Sequence, residues 1–487
     1  MTKLARRSFL GGVCAAAVIG FDPVRRSWIT SAAAAPLPTG LSQVPPLDGQ
    51  LLSDPASLAA AADDFGHTIQ QQPIAVLRPG SDDDVVKMVR YARDNRLSIA
   101  ARGQGHSTFG QSQVDAGIVI DSSTLSTVHE VCAHGALVDV GARWRQIVDA
   151  SLPQGLAPPT MTDYLDLSVG GTLSGAGVGG AAHRHGAQID NVLELDVVTG
   201  NGDLCRCSYT ENPLLFNSVL GGLGQFAIIV RARIRLIPVL PIARIFALGY
   251  TDLSTLLVDL GKVAFDQRFD HVQAQAAPLP AGGFGWQLVA ASYTAGAPDD
   301  ATLLAGLSFD PGSQQLVQIP YAAFLARIDP IIQAQINAGV WTNPHPWLDL
   351  FIPCSSAKTY VSSALAELSP ASLGGGPILL YPLRRSKLHR PFFRVPQEEL
   401  FFLFDVLRTA PRDATVVQAE IASNRSLYDR ARAVGGTRYC IGSIPFSFAD
   451  WQAHFGTSYG DLVIAKSAFD PHRILTPGQG IFGHGPG

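Results

Sequence analysis

Residues 101–109 read ARGQGHSTF, and they follow directly on the strand-like run LSIAA at residues 97–101. Two glycines flank a glutamine, and a single histidine, His106, comes next. Glycine lets backbone amides approach a ligand closely and adopts positive φ angles at little cost. The stretch matches neither a Walker loop nor the full GxGxxG pattern. On its own it indicates a turn near an anion and leaves the role of His106 open.

A second glycine-rich stretch, DYLDLSVGGTLSGAGVGG, occupies residues 163–180. It contains six glycines together with the hydroxyl side chains of Ser168, Thr172 and Ser174. Two such loops are expected to hold one long ligand that contains a pyrophosphate. The alternative that the residues leave open is a pair of tight structural turns.

The flanking sequence predicts a mixed helix and sheet fold. Residues 74–77 and 97–101 have the pattern of strands, and a helix is predicted between them from an N-cap at Ser81 to about Asn95. Further strands are predicted at 117–121 and 137–142, and a helix is predicted at about 144–152. Residues 193–207 have the pattern of a hairpin that turns at Asn201-Gly202, followed by a long strand at 226–238.

Length and charge limit the classes of protein to consider. A chain of 487 residues is expected to form two domains, and a net charge of −4 argues against nucleic acid as a partner. The character of the sequence changes at about Pro238, which predicts a second domain from there to about residue 430. The five cysteines beyond Cys14 are scattered and odd in number, so no disulfide framework is expected, and no metal site is predicted. Cys205 and Cys207 are interpreted as strand residues.

The N-terminus has the pattern of a twin-arginine export signal, predicted to span residues 1–35. Arg6 and Arg7 precede a short apolar segment at residues 9–21, and SAAAAP at residues 31–36 offers a small-residue cleavage site near Ala34 or Ala35. That export route carries folded proteins, which indicates a cofactor installed before export. The protein is therefore expected in the periplasm or outside the cell, with no stable membrane association after cleavage. An uncleaved N-terminal anchor is the alternative.

Six segments, taken together, resemble the cytokinin dehydrogenases. In chain order they are ARGQGHSTFGQ, TDYLDLSVGGTLSGAG, RHGAQIDNVLELDVVTGNGD, LGGLGQFAIIVRARIRLIP, HPWLDLFIP and FDPHRILTPGQGIF. The family belongs to the vanillyl-alcohol-oxidase class of covalent flavoproteins. The resemblance implies an α+β fold, with a two-subdomain FAD-binding module of p-cresol methylhydroxylase type and a substrate domain whose antiparallel sheet is covered by helices. It places the FAD-binding module at residues 36–238 and 431–487, and the substrate domain at 239–430.

The resemblance also implies the cofactor and its contacts. The histidine of the family's GHS motif is bonded to the 8α-methyl carbon of FAD, and the matching residue is His106; noncovalent FAD beside His106 is the alternative. The other positions carried over to FAD are Arg102, Gly103, Gln104, Gly105, Ser107, Gln111, Asp163, Ser168, Ser174, Val178, Ile229, Thr476 and Gln479. The second glycine loop has no cysteine, so a single covalent bond is implied.

The implied reaction transfers a hydride from a substrate C–H to FAD, and Asp163 matches the family's acceptor for the N–H proton. For a cytokinin, the imine would hydrolyse to an aldehyde and adenine, and O₂ or a quinone would reoxidise the flavin. Gln273, Trp347 and Asp349 match substrate positions, but Gln273 stands where the family has glutamate and Asp349 where it has asparagine. These departures leave open another amine, a covalent-FAD alcohol or sugar oxidase, and, more remotely, an inactive binding protein.

Overall fold

The computed structural model describes residues 18–22, 26–30, 42–279, 283–296 and 299–483. The first three strands form one small sheet in the order β2-β1-β3: β1 (Val18–Asp22), β2 (Ser27–Thr30) and β3 (Ser42–Gln43). Phe21 is buried, and Trp28 stacks on Tyr91 with ring centroids 5.8 Å apart. The described part of the predicted signal therefore packs on the folded protein. Arg6, Arg7 and the predicted cleavage site lie outside the described residues.

The next part of the chain forms a four-stranded sheet in the order β4-β5-β7-β6. Strands β5, β7 and β6 are parallel, and Ser81 caps the second helix as predicted. Strand β6 ends at Arg102, so the first glycine loop begins at the carboxyl edge of this sheet. The elements are β4 (Gln50–Leu52), α1 (Pro55–Ala61), β5 (Ala75–Arg78), α2 (Asp82–Asp94), β6 (Ile99–Arg102) and β7 (Ile118–Asp121).

The following part of the chain forms an antiparallel five-stranded sheet in the order β12-β11-β13-β9-β8. The predicted hairpin is confirmed as β11 and β12, and Cys205 and Cys207 lie on β12 as interpreted. Its elements are β8 (Val128–Cys132), β9 (Gly135–Asp139), α3 (Trp144–Ser151), β10 (Leu156–Ala157), α4 (Val169–Gly175), α5 (Ala182–His185), β11 (Val192–Thr199), β12 (Leu204–Ser208), α6 (Pro213–Val219), β13 (Ala227–Ile234) and β14 (Ile237–Pro238).

The third sheet has eight antiparallel strands in the order β18-β15-β17-β16-β20-β21-β19-β22. Helices α7 and α11 pack on one face around a separate apolar core, and side chains from the opposite face of β19, β20 and β21 line the cavity described below. The elements are β15 (Ile242–Tyr250), α7 (Leu253–Asp266), β16 (His271–Pro278), β17 (Phe284–Thr294), α8 (Asp300–Leu304), β18 (Gln315–Pro320), α9 (Tyr321–Leu325), α10 (Asp329–Asn337), β19 (Leu348–Pro353), α11 (Cys354–Leu365), α12 (Pro370–Leu373), β20 (Ile378–Arg384), β21 (Leu400–Val406), α13 (Ala414–Ala433) and β22 (Thr437–Arg438).

The C-terminal segment contains α14 (Phe448–Phe455) and α15 (Tyr459–Phe469) and then returns to the four-stranded sheet. Backbone hydrogen bonds of 2.7 Å join Ile99 of β6 to Ile474 and Thr476. Together the four-, five- and eight-stranded sheets and their helices confirm the expected α+β fold. Within the described residues, no helix is long and apolar enough to cross a membrane, no group of side chains could hold a metal ion, and the cysteines are free.

Candidate active site

One cavity of about 360 Å³ lies where the two glycine loops meet the eight-stranded sheet. Its volume is in the range of roughly 300–1,000 Å³ that is typical of ligand and cofactor pockets. The structure brings every residue carried over to the cofactor to the wall of this cavity: Arg102, Gly103, Gln104, Gly105, His106, Ser107, Gln111, Asp163, Ser168, Ser174, Val178, Ile229, Thr476 and Gln479. Trp347 and Asp349 line it as well. Residues that are far apart in the chain therefore form one site.

The backbone of the first glycine loop is turned so that its amides are free. The carbonyl oxygens of Gly105 and Ser107 accept hydrogen bonds from the amides of Phe65 and Gly66, at 2.8 and 3.0 Å. In the described part of the chain, the amides of residues 104–107 donate to no protein acceptor. Backbone amides rarely lack a partner, and a row of them forms a binding site for an anion. This arrangement fits the pyrophosphate of a dinucleotide cofactor.

Glycine is required at two positions where the loops pack closely. Gly105 has a φ of +65°, and a Cβ atom there would lie 2.2 Å from the Arg102 guanidinium. A Cβ atom on Gly103 would lie 1.9 Å from Oγ of Ser168, which belongs to the second loop. The two glycine-rich stretches are thus in contact, as expected if they hold a single ligand. The alternative of two unrelated turns does not explain this contact.

A buried carboxylate that the sequence analysis missed holds the end of the first loop. Asp64 accepts hydrogen bonds from the Ser107 hydroxyl at 2.9 Å and from the amides of Gly110 and Gly66 at 2.8 and 3.0 Å. Burial raises the pKa of Asp64 to about 6, although these hydrogen bonds oppose the rise. Asp64 fixes the position of the turn that immediately follows His106.

The His106 ring is neutral and stacked. Burial, with a smaller contribution from His345, lowers the pKa of His106 to about 3. Its ring lies on Phe65 with centroids 3.9 Å apart, and Phe65 in turn stacks on His345 at 4.1 Å. A second cavity of about 470 Å³ lies on the other side of the loop, and His106 lines both cavities. A neutral imidazole keeps a free lone pair, which is the form that acts as a nucleophile.

Asp163 is held in the cavity wall by two partners from later in the chain, Arg327 and Tyr381. Arg327 forms an ion pair with Oδ1, and the Tyr381 hydroxyl donates to Oδ2 at 2.8 Å. Burial acts to raise the pKa of Asp163, but Arg327, His271 and Tyr381 together hold it below the ordinary value. Asp163 is therefore ionised at neutral pH and can accept a proton or a hydrogen bond.

Gln273 is placed differently from Trp347 and Asp349. It is buried on β16 and does not line the cavity. Its Oε1 atom lies 3.2 Å from Nε2 of His271, and His271 is one of the groups that lower the pKa of Asp163. The structure therefore places Gln273 against His271 and not in the cavity wall.

Asp349 has a carboxyl partner that the sequence analysis did not consider. Asp349 of β19 lies directly opposite Asp405 of β21, and both line the cavity. Burial raises the pKa of Asp349 to about 7 and, together with the neighbouring Asp349, raises the pKa of Asp405 well above its ordinary value. The signal for Asp405 was a single carboxylate in the apolar run LFFLFDVL at residues 400–407.

The C-terminal return completes the cavity. Thr476 and Gln479 line it, and their backbone carbonyls accept hydrogen bonds from Gln225 at 3.0 Å and from the Trp451 indole at 2.7 Å. Gln111 donates to the carbonyl of Ile441 at 3.1 Å, which ties the first glycine loop to the same segment. The free amides, the close approach of the two loops and this return fit an extended dinucleotide such as FAD.

Comparison with known proteins supports this assignment. Residues 73–208 match the family model described as FAD binding domain, and residues 297–482 match that described as cytokinin dehydrogenase 1, FAD and cytokinin binding. The chain is 36% identical to cytokinin dehydrogenase 4 of Oryza sativa subsp. japonica, covering 90% of each chain. It is 39% identical to an uncharacterized oxidoreductase of the fasciation locus of Rhodococcoides fascians, covering 88% of this chain and 97% of that one.

The fold also matches a solved structure. The crystal structure of 6-hydroxy-D-nicotine oxidase from Arthrobacter nicotinovorans aligns with a TM-score of 0.66 at 21% identity, over 88% of this chain and 96% of the other. At that identity the match speaks for the fold alone. The sequence matches cover nearly the whole chain and include both halves of the cavity. The chain belongs to the cytokinin dehydrogenase family and is an FAD-dependent oxidoreductase.

Proposed function

We propose that this enzyme oxidises the C–N bond of an amine, either the side chain of an N6-substituted adenine or a related amine, to an imine that water converts to an aldehyde. The observation that carries the proposal is the position of Asp163. It is an ionised carboxylate in the wall of the cavity that the glycine loops also line. The membership of the cytokinin dehydrogenase family supports an amine as substrate.

Each residue of the site has a defined part in this reaction. FAD, when bound, supplies the acceptor for the hydride that leaves the substrate C–H. The amides of residues 104–107 and the Arg102 guanidinium would hold the pyrophosphate of the cofactor. Asp163 accepts the hydrogen bond, and then the proton, of the substrate N–H. Arg327 and Tyr381 orient both oxygens of Asp163 and keep it ionised before the substrate arrives.

Anaerobic mixing tests the reaction class directly. Isopentenyladenine, or a secondary amine that carries the same isopentenyl group, is expected to bleach the visible absorption of the flavin within the turnover time. Isopentenyl alcohol at the same concentration is the control and is expected to leave the absorption unchanged. Bleaching by the alcohol alone would assign the enzyme to the alcohol oxidases, and a spectral shift without bleaching by any ligand would make it a binding protein.

We further propose that His106 carries FAD through a single covalent bond. The neutral ring of His106 and its position on the cavity wall support this step, because an unprotonated nitrogen could add to the 8α-methyl carbon of an oxidised flavin. The addition would release a methyl proton and leave the flavin reduced by two electrons, which O₂ or a quinone would then take up. Acid precipitation of the wild type is expected to give a yellow pellet. The His106→Ala variant is expected to leave its flavin in the supernatant, whereas His67→Ala, a histidine outside this cavity, is expected to behave as the wild type. A colourless wild-type pellet would refute the bond.

The proposal includes export of the folded holoenzyme and reoxidation by O₂ or a quinone. The paired Arg6 and Arg7 before a short apolar segment support export through the twin-arginine route. Replacement of both arginines by lysine is expected to keep the protein in the cytoplasm with its flavin bound. Equal export of that variant would contradict the route. Mixing the reduced enzyme with oxygen or with a quinone identifies the acceptor by the faster return of the flavin absorption.

A further inference from the structure

The cavity wall formed by the eight-stranded sheet contains a carboxyl pair that the proposed reaction does not use. Asp349 and Asp405 face each other across the antiparallel strands β19 and β21, in a position where side chains share one face of the sheet. Asp349 is 1% exposed and Asp405 6% exposed. Both line the same cavity as Asp163. Burying two carboxyl groups costs free energy of folding unless hydrogen-bond donors or a positive charge compensate for the lost water.

The rest of the protein leaves the pair without donors. Oδ2 of Asp349 and Oδ1 of Asp405 are buried and have no hydrogen-bond donor among the described residues, and the two carboxyls lie within hydrogen-bonding reach of each other. Two carboxyl groups so close together share one proton, because both cannot be ionised. The pair then offers oxygen acceptors and up to one negative charge to the cavity.

The charged groups around the pair do not cancel that charge by direct contact. Asp163 is already paired with Arg327 and also accepts from Tyr381. The Tyr439 hydroxyl accepts a hydrogen bond from the amide of Gly177 at 3.0 Å and carries no positive charge.

Arg438 is a buried cation whose charge acts to lower the pKa of Asp349, against the effect of burial. Its guanidinium donates to the carbonyls of Ile444 and Gly442, at 3.1 and 3.0 Å, and lies over the Phe446 ring at 4.3 Å. Among the described residues, Nε of Arg438 has no hydrogen-bond partner, and neither do Oδ2 of Asp349 and Oδ1 of Asp405, so Arg438 acts on the pair through its charge and not through a hydrogen bond to these atoms. The open side of the pair is therefore the cavity itself.

We propose that Asp349 and Asp405 together bind a positively charged nitrogen of the substrate, so that the enzyme selects amines that are protonated at neutral pH. This inference rests on the proposed oxidation of a C–N bond. Of the two proposed substrate classes it selects the related amine, because the N6 nitrogen of an adenine is not protonated at neutral pH. An ammonium group supplies the donors that the carboxyl oxygens lack, and its charge favours the ionised form of the pair. A neutral ligand of the same shape supplies neither the charge nor the same number of donors.

The test uses two ligands that cannot be oxidised. Cumylamine is a cation at neutral pH, cumyl alcohol is its neutral counterpart, and neither has a hydrogen on the carbon that would lose hydride. Binding to the oxidised holoenzyme is measured by the change in flavin absorption and by calorimetry. The wild type is expected to bind cumylamine at least about tenfold more tightly than cumyl alcohol, which corresponds to about 1.4 kcal/mol. Failure of the flavin to bleach with any amine would count against the proposed function. The relative affinities for cumylamine and cumyl alcohol would still test the inference, because binding is measured without turnover.

The variants Asp349→Asn and Asp405→Asn are each expected to lose the preference for the amine, and Asp196→Asn, a carboxylate on the five-stranded sheet, is the matched control. Because a bound cation favours ionisation of the pair, calorimetry near pH 7 in buffers of different ionisation enthalpy is expected to show proton release with cumylamine and none with cumyl alcohol. Asp349→Asn is expected to abolish that release. If one variant fails to fold, the inference is tested by the ligand preference of the other variant and by the proton release of the wild type. Equal affinity for both ligands in the wild type, an unchanged preference in the folded variants, or no proton release would overturn the inference.

Discussion

The two ends of the cavity differ in how the chain builds them. At the loop end, the anion-binding amides come from consecutive residues 104–107, and a local motif in the sequence marks them. At the sheet end, Asp163, Arg327, Tyr381 and Asp405 come from different elements and meet only because the sheet packs against the second glycine loop. A binding site formed by consecutive residues can be predicted from a single sequence. A site formed by side chains on paired strands can be recognised only from the folded structure.

The largest effect on the reaction rate is expected from a substitution at Asp163, at the end of the cavity that the eight-stranded sheet forms. Asp163→Asn removes the group that accepts the substrate proton and keeps the shape of the side chain. The rate of flavin reduction by an amine is expected to fall by about 10²- to 10⁴-fold, the usual contribution of general base catalysis. Stopped-flow absorbance under anaerobic conditions measures this rate. Asp166→Asn, which alters a carboxylate paired with Arg145 in the same segment, serves as the control. An Asp163→Asn rate close to that of the wild type would remove Asp163 from the reaction.

A substitution in the first glycine loop alone is expected to weaken the binding of the cofactor. Gly105→Ala introduces left-handed strain of about 1–2 kcal/mol and a clash with the Arg102 guanidinium. The ratio of flavin to protein is expected to fall strongly. Gly155→Ala is a matched control, because Gly155 has a φ of +69° and no atom within 4 Å of the added Cβ. The control is expected to lower the free energy of unfolding by a similar strain and to keep its flavin. Equal flavin content in both variants would contradict the role of the loop.

A smaller effect is expected from the group that tunes Asp163. Arg327→Met removes the positive charge that opposes the effect of burial, so the pKa of Asp163 is expected to rise. Because the ionised carboxylate is the active form, the fall in flavin reduction rate on acidification is expected to begin at higher pH than in the wild type. At alkaline pH the two rates are expected to converge. The measurement is the anaerobic rate as a function of pH, with Arg145→Met as the control. An unchanged profile would show that Arg327 does not set the protonation of Asp163.

The smallest effect is expected at Gln273. The family resemblance assigns it to substrate binding, but in the structure its side chain contacts His271 and does not line the cavity. Gln273→Glu is therefore expected to change the dissociation constant of isopentenyladenine by less than about twofold, or about 0.4 kcal/mol. Equilibrium binding to the oxidised enzyme measures it. A large gain in affinity would return Gln273 to the substrate site.

Particular residues show why the sequence predicts one end better than the other. His106, Gly103 and Gly105 lie within one short motif, and the family resemblance carries their neighbours with them. Asp64 lies well before that motif, and only the turn at Phe65 and Gly66 brings its carboxylate beneath Ser107. Asp405 and Tyr381 face the cavity because of the register between β20 and β21, which no local pattern contains. The α+β fold followed from strand and helix patterns together with the resemblance.

The N-terminal segment shows a different limit. The sequence predicts an export signal through residue 35, and the described part of that segment forms strands with Phe21 buried and Trp28 stacked on Tyr91. Small-residue and arginine patterns indicate how a chain is handled by the export machinery, but they carry no information on whether the same residues can pack on the folded domain. The export signal stays a prediction.

The central claim is that the two ends of the cavity serve one reaction, the oxidation of an amine by FAD held in the glycine loops. A single anaerobic turnover tests it most directly, with the flavin absorption and the products measured in the same sample. Mixing with an isopentenyl amine is expected to bleach one flavin for each equivalent of aldehyde formed after hydrolysis, and Asp163→Asn is expected to do neither in the same time. Bleaching by isopentenyl alcohol with no response to either isopentenyl amine or isopentenyladenine would contradict the account.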